Sequence, residues 1–163
     1  MRICLIIPPS PFLLDERVFV QLGILKIASA LEQENYTVDM IDLSGVENYT
    51  DVLTDYAKRK DRADIFGVTA TTPQVPYAVK ISQHLKTLLP GKQSKVILGG
   101  PHVTLMHTAA KREAKKNLVG SDRATKDIEA LKSFFDVLVC GDGEIAIFDA
   151  IHEDMKIIDA DIA

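Results

Sequence analysis

The chain has 163 residues, 47% hydrophobic and 26% charged, enough to bury the core of one domain without disulfide or metal staples. Its formal net charge of −4 offers no basic excess for phosphate neutralisation, which argues against nucleic acid as a partner. Cys4 and Cys140 are the two cysteines and no CxxC spacing occurs, so neither a disulfide framework nor a cysteine-built zinc or iron–sulfur site is expected and a reduced, cytoplasmic setting is the default.

In chain order, Arg2 to Ile7 reads as a first strand, too short to span a bilayer and followed by prolines rather than a cleavage site, so neither membrane span nor signal peptide is expected. After a long loop, Leu22, Ile24, Leu25, Ile27, Ala28 and Leu31 recur at helical spacing up to Asn35-Tyr36. Val38 to Ile41 is a second strand, Asp42 to Gly45 a turn, and Tyr49 to Arg59 a helix with Val52, Leu53, Tyr56 and Ala57 as its buried stripe. Ile65 to Val68 is the third strand and Pro73 to Leu89 a helix, capped by Thr72 and closed by Pro90-Gly91; Lys95 to Leu98 is the fourth strand. A helix from about Pro101 to Asn117 carries the one dense basic stretch, Lys111 to Lys116, whose usual meaning is a solvated face. Gly120-Ser121-Asp122 breaks it before a second helical stretch ending at Phe134. Asp136 to Val139 is the fifth strand, Gly143 to about Glu153 a helix, and Lys156 to Ile158 a short sixth strand at the edge.

Strands alternating with helices at this spacing predict an α/β fold: an open parallel sheet with right-handed crossovers and helices on both faces. The expected strand order is the flavodoxin-like, Rossmann-type 2-1-3-4-5, which places the topological switch point between the first and third strands.

Four of these strands end abruptly in small or turn-forming residues: Pro8-Pro9-Ser10-Pro11, Thr69-Ala70-Thr71-Thr72-Pro73, Gly99-Gly100-Pro101-His102 and Cys140-Gly141-Asp142-Gly143-Glu144. In a parallel sheet these junctions share one edge, where absent side chains let a ligand approach the backbone. The Pro8–Gln21 loop, with Phe12, Leu13 and Leu14, either packs on its own body or covers a ligand. Thr69, Thr71 and Thr72 offer hydroxyls at the crevice, one of which helix capping alone explains. Gly99 and Gly100 remove two successive Cβ atoms where a flat ligand would lie, Pro101 sets the helix start, and His102 reads either as a partly exposed helix-start residue or as a ligand contact.

Gly141-Asp142-Gly143-Glu144-Ile145-Ala146 matches the dinucleotide pattern G-x-G-x-x-A, with Asp159 or Asp161 about 20 residues later. It stands after the last main strand instead of the first, and Asp142 and Glu144 would face a pyrophosphate of like charge. No Walker A loop, G-x-S-x-G elbow or HExxH pattern occurs, His102 and His107 lack zinc-site spacing, and no complete catalytic set is nominated.

Taken together, the Ile7-Pro8-Pro9 loop, Gln21-Leu22-Gly23-Ile24-Leu25 with Ala28, Gly67 to Thr72, Leu98-Gly99-Gly100-Pro101-His102-Val103-Thr104 and Gly141-Asp142-Gly143-Glu144 resemble the N-terminal cobalamin-binding domain of cobalamin-dependent radical SAM enzymes, of the methyltransferase or magnesium-protoporphyrin monomethyl ester cyclase type. The resemblance spans about Met1 to Ile151. It implies a corrin ring across the C-terminal sheet edge, with its nucleotide tail entering between sheet and helices. Carried over by position, it implies cofactor contacts from Pro9, Ser10, Gly23, Thr69, Thr71, Thr72, Gly99, Gly100, Pro101, His102, Thr104, Gly141, Asp142, Gly143 and Glu144.

The sequence departs from that pattern in three places. It has no CxxxCxxC motif, so an iron–sulfur cluster, S-adenosylmethionine and the radical SAM domain are expected only downstream, in a longer protein of which this single domain, residues 1–163, is the N-terminal part. The Asp-x-His-x-x-Gly motif that supplies a cobalt-ligating histidine is absent, Asp15-Glu16-Arg17 occupying that loop, so no metal ligand is nominated. The stretch from about His107 to Phe134 is longer than the family's usual connection. The expectation is a cobalamin-binding domain without turnover of its own; the alternatives are an NAD-type Rossmann domain and a non-catalytic flavodoxin-like interaction module.

Overall fold

The computed structural model describes residues 1–17, 20–116 and 122–162. Its single sheet is parallel throughout, in the order β2-β1-β3-β4-β5-β6, built from β1 (Arg2–Ile7), β2 (Thr37–Asp42), β3 (Ile65–Thr69), β4 (Lys95–Gly99), β5 (Val137–Cys140) and β6 (Ile157–Asp159). The predicted α/β architecture and the order 2-1-3-4-5 are observed, and the short sixth strand extends the sheet beside β5. Central strands buried on both faces demand continuous apolar runs, and β1 and β5 have them; β2, at the edge, carries two aspartates and no fully buried residue.

The helices divide unequally between the two faces. Leu53 and Tyr56 of α2 (Tyr49–Ala57), Ala78, Ile81 and Leu85 of α3 (Val75–Leu88), Val103 of α4 (Pro101–Lys116) and Ile128 and Leu131 of α5 (Arg123–Phe134) cover the face carrying Cys4, Ile6, Phe66, Val68, Val96, Leu98 and Leu138. Among the described residues, α1 (Leu22–Gln33) and α6 (Gly143–His152) are the helices that cover the other, through Ile24, Ala28, Leu31, Ile147, Ala150 and Ile151 packed on Ile3, Leu5, Ile97, Val137 and Val139. The chain leaves β1 toward β2 on one side and returns to β3 on the other, so the switch point lies between β1 and β3, as expected.

Two local expectations are corrected. The helix predicted from Pro73 begins at Val75, with Gln74 at its N-cap position, after a 3-10 turn over Thr72–Gln74 whose own N-cap is Thr71 in extended conformation, so Thr72 caps neither. Prolines at 73 and 76 remove two amide donors from the first turns, and the Gln74 side chain, almost fully buried, organises the turn instead. Its Oε1 accepts from the Thr71 amide (3.0 Å) and hydroxyl (3.1 Å), while its Nε2 donates to the Pro8 carbonyl (3.1 Å) and the Ser10 hydroxyl (2.8 Å). One amide thus ties the first junction to the second. Gln74→Ala is expected to cost about 2 kcal/mol, since it strands these buried groups, and to speed proteolysis of the 8–17 loop; urea melts and limited digestion measure both effects.

Where a break was expected before the 123–134 helix, Asn117, Gly120 and Ser121 lie outside the described residues. The α5 N-terminus is capped from a distance: Glu113 of α4 accepts from the amides of Ala124 (2.9 Å) and Thr125 (3.0 Å) and from the Thr125 hydroxyl (2.8 Å). The bond from the Ala124 amide, with those from Thr125, holds the Glu113 carboxyl below its usual range. Asp159 is likewise held low, chiefly by the Lys111 ammonium at 2.7 Å, with His107 at 2.8 Å. Folding lowers both values, so their stabilisation is fully present above the ordinary carboxylate range near pH 4 and is lost as pH falls through the lower folded values. Glu113→Gln should therefore flatten the fall of the melting temperature between about pH 5 and pH 2.

Candidate functional site

Above the switch point, the shortage of helices on one face leaves a cleft of ≈ 300 Å³ between the C-terminal half of the sheet and the pair α1 and α6. Side chains alternate along a strand, so Leu5, Gly67, Thr69, Ile97, Gly99 and Val139 all present toward it. In register, Leu5 stands beside Gly67 and Gly67 beside Ile97, while Thr69 stands beside Gly99. Glycines thus lie in the floor on both central strands. The helices supply Gln21, Gly23, Ile24, Lys26 and Ile27 from α1 and its approach, and Asp142, Gly143, Glu144 and Ile147 from α6 and its N-cap.

These glycines have different reasons. A Cβ on Gly23 or Gly99 would meet nothing closer than the Val139 carbonyl, 3.8 Å from the latter, so their missing side chains serve space in the cleft rather than packing. At Gly143, by contrast, a Cβ would come within 2.9 Å of Ile27 Cδ1, so this glycine lets α6 close against α1.

Of the residues implied by sequence, Gly23, Thr69, Gly99, Gly100, Pro101, Gly141, Asp142, Gly143 and Glu144 line the cleft. Pro9, Ser10, Thr71, Thr72, His102 and Thr104 are placed around it as supports. Pro9 and Ser10 are buried under the Gln74 amide. Thr104 donates to the Gly100 carbonyl (3.0 Å) and accepts from the Gly141 amide (3.1 Å), joining the β4 and β5 junctions.

His102 corrects the expectation of a partly exposed helix-start residue: it is buried, between helices. Its Nε2 donates to the Asp127 carboxylate at 2.9 Å, and its Nδ1 lies 3.0 Å from the Thr72 hydroxyl, so the imidazole links the β3 junction, α4 and α5. Among the described residues no imidazole lines the cleft.

Asp142 occupies the N-cap position of α6 without a side-chain capping bond. Glu144 Oε1 accepts from Lys26 Nζ at 3.0 Å, across from α6 to α1; that bond, with the field of Glu144 and of Asp142, raises the Lys26 pKa. Asp159, one acid considered for the dinucleotide pattern, is engaged by His107 and Lys111, and the Asp161 carboxylate lies behind Gly141.

Apart from Gly23, sequence reasoning did not nominate the α1 residues of the cleft, and it quoted Gly67 within the family motif without assigning it a contact. A lone glycine inside an apolar strand signals close approach of another group and could have found Gly67. Lys26 and Ile27 carry no local signal, being ordinary positions of an amphipathic helix.

A parallel sheet with a glycine-floored cleft at its switch point defines an α/β domain built to hold a ligand at the C-terminal edge of its strands. The family of B12 binding domains matches residues 16–126, and the chain belongs to that family. Among solved structures it is similar to a novel cobalamin-binding protein from Desulfitobacterium hafniense DCB-2, at 17% identity and a TM-score of 0.46, over 61% of this chain and 44% of that one. This chain thus spans less than half the length of that protein. No curated protein matches.

Proposed function

We propose that this domain binds cobalamin, with the nucleotide tail in the cleft between the sheet and α1 and α6 and the corrin ring across the sheet edge above it. The observation that carries the reading is Gly99: a strand residue at the cleft whose absent side chain no packing requires. The residues present fit the group. At ≈ 300 Å³ the cleft is at the small end of ligand pockets, sized for a base and sugar, which leaves a macrocycle outside on the rim. Its floor and walls, Leu5, Ile24, Ile27, Ile97, Val139 and Ile147, suit a flat apolar base. On the rim, Phe12, Leu13 and Leu14 of the first junction loop, with Val20, Leu22 and Ile145, are exposed and apolar at the same edge.

When bound, cobalamin supplies a cobalt centre able to carry a methyl group or assist a radical step. The chain's own residues orient it: Thr69 and the backbone of Gly99 and Gly100 below, α1 and α6 at the sides, apolar walls excluding water. With no imidazole on the cleft, the cofactor is held without a histidine from the described residues. The full-length protein is then a cobalamin-dependent radical SAM enzyme, acting in methyl transfer or a related radical reaction, and this domain alone has no turnover.

The dinucleotide alternative is weaker, because Asp159 is already engaged by the Lys111 ammonium and by His107 and is not free to hold a ribose. Mixing the purified chain with hydroxocobalamin tests the cofactor reading: a shifted visible spectrum and colour retained through gel filtration are expected. Neither appearing, with saturable NADH binding instead, overturns it. A CxxxCxxC triplet encoded downstream tests the radical SAM assignment, and its absence removes it.

A further inference from the structure

We propose that Lys26 is the phosphate-recognising residue of the cleft, exchanging its ion pair with Glu144 for the single negative charge of the phosphodiester in the ligand's nucleotide tail. The inference rests on the cofactor reading above and names a residue that reading does not assign.

Three observations support it. Among the described residues lining the cleft, Lys26 is the one cation, and it shares that lining with two carboxylates, Asp142 and Glu144. Its ammonium is held by Glu144 Oε1 at 3.0 Å, and the pair joins α1 to α6 beside the contact of Ile27 with Gly143. Finally, the pair is cheap to exchange: Lys26 is 68% and Glu144 36% exposed, and ion pairs of that exposure hold little net energy. A tail whose base lies on the glycine floor must leave its phosphate near the helices, since the floor and walls are apolar. There a charge-assisted hydrogen bond from Lys26 is the partner the lining provides.

The carboxylates set the selectivity. One cation against Asp142 and Glu144 leaves the lining with a formal net charge of −1, by +1 for Lys26 and −2 for the two acids. A singly charged diester that displaces Glu144 from the ammonium meets about half the repulsion from this lining that a doubly charged phosphomonoester or pyrophosphate meets. The site therefore favours a nucleotide joined as a diester to a larger body over a free nucleotide.

The test compares hydroxocobalamin, which carries the phosphodiester tail, with dicyanocobinamide, which lacks it, by spectral titration of the wild-type chain, Lys26→Met and Glu144→Gln. Lys26→Met is expected to weaken cobalamin binding about tenfold and to leave cobinamide binding unchanged. Glu144→Gln, which frees the ammonium, is expected to bind cobalamin as tightly as wild type or several-fold tighter. Adenosine monophosphate at millimolar concentration is expected not to compete. Unchanged cobalamin affinity in Lys26→Met, equal weakening for both corrinoids, or weaker cobalamin binding by Glu144→Gln overturns the assignment and leaves the cofactor reading standing. Failure of the wild-type chain to bind cobalamin at all sinks both. Thermal melts of the two variants, one at the exposed Lys26 and one at the half-buried Glu144, confirm that affinity is compared between folded proteins.

Discussion

Gly99→Leu is expected to abolish cobalamin uptake, by at least about a hundredfold in affinity, while the domain stays folded. The Cβ site at Gly99 is free, its nearest neighbour being the Val139 carbonyl at 3.8 Å, so a side chain there enters the cleft without forcing the sheet apart. Once inside, it lies among Val139 and the apolar residues of α1 and α6, in the space assigned to the base of the tail. Overpacking of this kind costs about 3 kcal/mol when a ligand must share the site, which is two decades of affinity. The same leucine covers apolar surface in the empty protein, so its melting temperature should match or exceed that of wild type. Spectral titration with hydroxocobalamin beside a thermal melt gives both numbers; full affinity in the variant would place the ligand somewhere other than this cleft.

One residue further along, the opposite result is expected. Gly100→Ala should destabilise the fold by at least about 3 kcal/mol, combining left-handed backbone strain with overpacking. Gly100 has φ +102°, and a Cβ there would stand 2.7 Å from the Thr69 hydroxyl and 2.8 Å from the Ala70 amide nitrogen, with the Ala70 carbonyl at 3.0 Å. Two of those three atoms belong to backbone that is already committed. The Ala70 amide donates to the Gly99 carbonyl (3.2 Å), and the Ala70 carbonyl accepts from the His102 amide (3.1 Å). Nothing in that lattice can step aside cheaply. Urea denaturation measures the loss, a large share of the 5–15 kcal/mol typical of a domain. A change under 1 kcal/mol would mean that the β3 and β4 junctions are slack rather than locked.

The contrast between Gly99 and Gly100 shows where sequence reasoning stops. Both glycines were legible as a mark of the ligand edge, because a Gly-Gly pair directly after an apolar strand has few other uses. Their division of labour, one for space and one for backbone geometry, depends on distances to Val139 and Ala70 that no local pattern encodes. The sheet order was legible for a simpler reason: β-branched runs alternating with amphipathic helices leave right-handed parallel crossovers as the main solution.

What failed were inferences about single polar side chains. Thr72 follows the third strand and precedes a proline, so local rules make it a cap. Its hydroxyl instead faces His102, whose other partner, Asp127, comes from a helix that sequence gives no reason to bring close. Gln74 is invisible for the same reason: its four hydrogen bonds join residues from two junctions far apart in the chain. Family resemblance could place a residue at the right loop, but it could not say whether the side chain turns toward the ligand or away from it.

The unequal division of helices between the two faces also bears on the order in which the protein becomes competent. The cleft's walls are α1 and α6, the first and the last helices of the sheet, held together by Ile27 against Gly143 and by Lys26 with Glu144. During synthesis β1, α1, β3 and β4 can assemble while the ribosome is still adding residues, yet no cleft exists until α6 has emerged and docked. On the proposed placement of the cofactor, its capture is confined to chains that have completed this domain, and it rewards that completion by mass action, since a ligand bound only by the finished fold adds its binding energy to the stability of every element between the two helices. A nascent or truncated chain lacking α6 should leave the cofactor in solution, free for a finished copy.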